Sequence, residues 1–93
     1  MNSKYERQFA ERMRNNYSPG TRLELISMDD PYSKILPGTR GTVVAVDDIG
    51  TIHMKWDNGS GLGLVPGEDS FRKLTPDEIA EENGEIESGG MTM

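Results

Sequence analysis

Few side chains in this chain could do chemistry. His53 is its only histidine, and it has no cysteine. Thiolate metal sites, a disulfide scaffold and a thiol nucleophile are therefore excluded, and a reducing cytoplasm is the expected compartment. His53 falls in Thr51–Trp56, where Ile52, Met54 and Trp56 face one way and Thr51, His53 and Lys55 the other. That alternation puts the imidazole on the outer face of a strand rather than in a cleft. With a single base and no nucleophile elbow, neither a Ser–His–Asp nor a Cys–His set can be assembled. Gly59-Ser60-Gly61-Leu62-Gly63 has the composition of a phosphate loop. It lacks the lysine and leads into a strand, so no helix N-terminus is there to hold phosphate. Asp29-Asp30 and Asp47-Asp48 lack the spacing of a calcium loop, and Asx-turns account for them. The expectation is a protein without catalytic residues, metal or cofactor, acting by binding.

Two surfaces are candidates. The first joins Met28, Asp29, Asp30 and Tyr32 from a long loop to Glu68 and Asp69 from a later turn. Met28 and Tyr32 offer apolar contact, and the carboxylates would select a basic protein partner. A loop of about ten residues is long for a compact β domain, which often marks function. Tyr32 could equally fold back as a lid over the barrel end. The alternative surface is cationic and would track nucleic-acid phosphates: Lys4, Arg7, Arg12 and Arg14, joined by Arg40, Lys55, Arg72 and Lys73 if they cluster. Against it stands the lack of exposed stacking aromatics. A third reading is a self-associating structural adaptor, monomeric or weakly dimeric.

The elements that position these residues follow from pattern. Ser3-Lys4-Tyr5-Glu6 has capping-box spacing, and Tyr5, Phe9 and Met13 recur on one helical face, predicting a helix over Lys4–Asn15. Its stripe is expected to pack on the chain's own barrel. Strands are expected at Thr21–Met28, Arg40–Val46, Thr51–Trp56, Leu62–Val65 and Phe71–Leu74. Ile26 and Met28 run out of phase with Leu23 and Leu25, which calls for a bulge near Leu25–Ile26. Asp47–Gly50 and Asn58-Gly59 close hairpins, the second as a type I′ turn. Leu23, Leu25, Val44, Val46, Ile52, Met54, Trp56, Leu62, Leu64 and Phe71 should meet in one core. Thr75-Pro76-Asp77-Glu78 starts a helix of at most two turns, with Thr as cap and Pro at N1.

The net charge is −6, and residues 75–93 carry six carboxylates and no basic residue. The acidity thus belongs to a tail, disordered or weakly helical, and the rest of the chain is close to neutral. No apolar run approaches the roughly 20 residues of a membrane span.

These features predict a mainly β domain: a small five-stranded SH3-like barrel over residues 17–74, an amphipathic helix over 1–16 and an acidic tail over 75–93. An OB-fold is the rival architecture. The stretches TRLELISMDDPYSKILPGTRGTV and DDIGTIHMKWDNGSGLGLVPGEDSFRKL resemble a small bacterial domain of unknown function, found in Gram-positive bacteria, their phages and mobile elements. The resemblance covers about Tyr17 to Leu74. It implies the barrel and a bacterial or phage setting, and it carries over no functional residues.

Overall fold

A computed structural model describes residues 3–30, 32 and 34–84. Helix α1 spans Ser3–Asn16, strands β1 to β4 span Arg22–Ser27, Arg40–Val46, Ile52–Trp56 and Ser70–Lys73, and helix α2 spans Pro76–Glu82. Beyond Gly84 the acidic tail, expected to be disordered or weakly helical, lies outside the described residues, as do Pro31, Ser33 and the Ser3 side chain.

The fold is mainly β, built on an open antiparallel sheet in the order β3-β2-β1-β4. Leu62–Val65 does not form the expected fifth strand; it meets the sheet only at a bridge between Leu64 and Ile52. The reason is local. The Ser60 hydroxyl takes the Leu62 N–H, Asn58 takes the Ser60 N–H, and an Asp69 carboxylate oxygen takes the Val65 N–H. The Leu62 carbonyl accepts from the Trp56 indole at 2.7 Å. Side chains thus satisfy the backbone groups that a ladder would have used.

One side of the sheet is apolar. Leu23, Leu25, Val43, Val46, Ile52, Met54, Trp56 and Leu64 form its core, with Ile35 from the long loop. Val44, expected inside, is 54% exposed, and Val43 is buried instead. The register of β2 on β3 shifts between Val43 and Ala45, so the inserted residue flips the alternation. Leu62 is also outside, because its segment is not a strand. Phe71 is half-buried against the core, edge-on to Tyr17. The bulge expected in β1 is present between Leu25 and Ser27.

Both hairpin turns use a left-handed glycine after a tight turn. Gly50 donates to the Asp47 carbonyl and Gly59 to the Trp56 carbonyl, with φ of 89° and 93°. Asn58 has no positive φ, so the type I′ assignment fails: this is a longer loop ending on Gly59.

Helix α1 packs on the domain's own sheet, as expected. Ala10 is buried, Met13 packs on the core, and Gly50 lies under the Phe9 ring. Arg14 fastens its last turn to the Val46 carbonyl and Asp48. Tyr5, assigned to the seam, is 70% exposed. Helix α2 starts as its sequence predicts, with Thr75 and Glu78 in a capping box and Pro76 leading. No described helix is long and apolar enough to cross a membrane.

Candidate functional site

Three segments converge beside the open end of the sheet. Met28, Asp29 and Asp30 follow β1, Leu62, Gly63 and Val65 lie in the irregular segment, and Glu68 and Asp69 come from the turn before β4. Together they line a cleft of about 220 Å³. The bulge at the end of β1 redirects the chain so that Met28 reaches this place.

Asp69 holds the cleft together. One of its carboxylate oxygens accepts from the Asp29 N–H at 3.0 Å, the other from the Val65 N–H at 2.9 Å. The Pro66–Asp69 turn is closed by Glu68 and Asp69 donating to the Val65 carbonyl. Asp30 accepts the Tyr32 N–H in an Asx-turn, which fixes the start of the long loop. The cleft is therefore shallow, and its lining brings apolar Met28, Leu62 and Val65, the last two exposed, beside the carboxylates of Asp29, Asp30 and Glu68.

Of the residues expected here from sequence, Met28, Asp29, Asp30, Glu68 and Asp69 do come together. Tyr32 does not: it is 89% exposed, away from the lining, and covers nothing. The long loop is anchored by Ile35, which is 3% exposed. Leu62 and Val65 were missed as site residues because both had been assigned to a strand.

The cationic candidates form no single surface. Lys4, Arg7 and Arg12 are exposed on α1, while Arg14 pairs with Asp48 at 2.8 Å. Lys73 lies over the Tyr17 ring, 5.3 Å from its centroid. Arg40 and Arg72 sit elsewhere, on the polar side of the sheet, in register with Glu24. There they meet Arg22, a residue that sequence reading passed over.

This polar side is covered by α2. Arg72 forks onto Glu78 through Nη1 and Nη2 at 2.9 and 2.7 Å. Arg22 forks onto Glu82 at 3.0 and 2.6 Å and onto Asp57 at 2.9 and 2.7 Å. Arg40 lies between them, on Glu24 at 3.1 Å with longer contacts to Glu78 and Glu82. The Arg72 fork, helped by the Thr75 N–H, lowers the Glu78 carboxyl from 4.5 to about 2. Glu82 and Asp57 are lowered too, each chiefly by its bond from Arg22. Arg40 and Arg72 are thus engaged by carboxylates rather than free for phosphate.

His53 lies outside the cleft on the exposed side of β3. Its Nε2 is 2.9 Å from Asp47, whose other oxygen accepts the Ile49 and Thr51 N–H groups. Those bonds, His53 first among them, lower the Asp47 carboxyl. Among the described residues no group of three or more His, Cys, Asp or Glu side chains is arranged to hold a metal ion.

No curated protein matches the chain. A family profile does, over residues 6–74, taking in nearly all of α1 and ending at Leu74, just before α2. By that match the chain belongs to the family described as a domain of unknown function, DUF4314.

Proposed function

We propose that this domain is a non-catalytic binding module that takes a basic segment of a protein partner in the cleft between Met28–Asp30 and Leu62–Asp69. The observation that carries this reading is the convergence of exposed apolar side chains and carboxylates on one cleft, braced by Asp69. At about 220 Å³ the cleft is smaller than the roughly 300–1,000 Å³ of small-molecule sites. It suits one long side chain, such as the aliphatic stem and charged head of Lys or Arg. The Asp29, Asp30 and Glu68 rim supplies complementary charge, which favours rapid association and selects against acidic partners.

The reading keeps an SH3-like barrel as the parent architecture, with the Ile52–Leu64 bridge standing where a fifth strand would close it. A bacterial or phage adaptor in the cytoplasm fits such a module. Nucleic-acid binding is the weaker reading, because Arg14, Arg40 and Arg72 are already paired with carboxylates.

Titration with a short peptide containing Arg beside Leu, followed by backbone amide shifts, tests the proposal. Shifts should concentrate at Met28, Asp30, Val65 and Glu68. The double substitution Asp29→Asn with Glu68→Gln should weaken binding about two- to thirtyfold, the effect of losing two exposed charge pairs. Shifts confined to α1 or the polar side of the sheet would discard the cleft as the binding site.

A further inference from the structure

The polar side of the sheet has the layout of a receptor. Arg22, Arg40 and Arg72 come from three adjacent strands, and each guanidinium reaches a carboxylate of α2. Two carboxylates one helical turn apart, Glu78 and Glu82, fill the positions these forks create. Fork-to-carboxylate pairing is directional, so the surface reads the placement of charge as well as its sign.

The helix that fills it is weakly held otherwise. α2 has seven residues and no buried residue, and a helix this short does not persist alone in water. Its attachment rests on partly solvated ion pairs, half-buried contacts at Ile79 and Ala80, and the capping box at Thr75. Such a segment opens at much lower free energy than the sheet beneath it. The arginines lie inside the family's matched span of residues 6–74, whereas Glu78 and Glu82 lie beyond it. The receptor is part of the domain, and its occupant is appended to it.

We infer that the Arg22–Arg40–Arg72 face is a docking surface for an acidic helical segment of a partner protein, held closed in this chain by α2 as an internal competitor. Glu24 remains between Arg40 and Arg72, and Asp57 stays paired with Arg22, so a continuous run of phosphates would meet two fixed negative charges there. A helix with carboxylates four residues apart avoids them, as α2 does. That is why a protein helix fits better than a nucleic-acid backbone. The surface is separate from the cleft, and none of the cleft's lining residues belongs to it.

The test uses the full chain with Glu78→Gln and Glu82→Gln together, and a synthetic peptide of the chain's own Thr75–Asn83 sequence as probe. Trp56 fluorescence reports that the sheet is intact. The peptide should shift the amides of Arg22, Arg40 and Arg72 in the double variant. Wild type should need at least about tenfold more peptide, because a tethered competitor acts at millimolar effective concentration. Adding Arg72→Gln to the double variant should abolish the shifts. No binding by the folded double variant overturns the inference, and so does equal binding by wild type. Tighter binding of a single-stranded DNA oligonucleotide than of the peptide would overturn it in favour of a nucleic-acid surface.

Discussion

Gly41 shows how one missing side chain organises this core. A Cβ built there would lie 2.8 Å from the Trp56 ring and 3.0 Å from its Cα. The indole needs that space to lie flat on β2 while its N–H reaches the Leu62 carbonyl. Gly41→Ala should therefore destabilise the domain by about 1–3 kcal/mol, since the obstacle includes backbone that cannot rotate away. A lower urea midpoint with an unchanged slope, read by Trp56 fluorescence, is the expected result, and an unchanged midpoint would refute the packing argument. The sequence made Trp56 legible as core, because it alternates with Ile52 and Met54. The need for glycine opposite it was not legible, because it depends on the β2–β3 register. Asp69 is a similar case. Its place in an acidic turn was plain from sequence, but its bridging of two loops depends on where β1 ends.

At the scale of elements, some local signals were read correctly and others, such as the Asn58-Gly59 turn, were not. The α2 start is an example of the former: Thr75, Pro76 and Glu78 form the cap that their order implies. The expected pairing failed where one residue changed the phase, as at Val44, and where side chains captured the backbone, as at Ser60–Val65. What α2 covers was also hidden, because it depends on arginines from three strands. Its attachment gives a definite pH response. Glu78 is held at about 2 in the folded chain against an ordinary 4.5. A depressed carboxyl contributes stability that is complete above its ordinary value and is lost as pH falls toward the folded one. Lowering the pH from about 5 to about 2 should therefore release α2 progressively. The facing charges are Arg72 and Arg40, which stay protonated throughout this range. Carboxyl chemical shifts of Glu78 would report the titration directly, and a midpoint at its ordinary value would mean that the Arg72 fork does not hold in solution.

For the whole molecule, the sheet separates two kinds of attachment. Its apolar side is covered by α1, by Ile35 and by Leu64, chiefly through buried hydrophobic contact. Its polar side is covered by α2 through ion pairs with side chains 18–38% exposed. Salt distinguishes these, because it screens partly exposed charges and leaves apolar burial intact or strengthened. Raising sodium chloride from about 0.1 to about 1 M shortens the screening length from about 10 to about 3 Å. Amides of Ile79 and Asn83 should then exchange severalfold faster, while those of Met54 and Leu23 keep their protection. Loss of protection at both sets together would make α2 part of the cooperative core, and no internal competitor could then yield to a partner without unfolding the sheet. Exchange at α2 alone would mean that the arginine face opens as a local event on a standing scaffold, with the cleft on Met28 and Asp69 undisturbed.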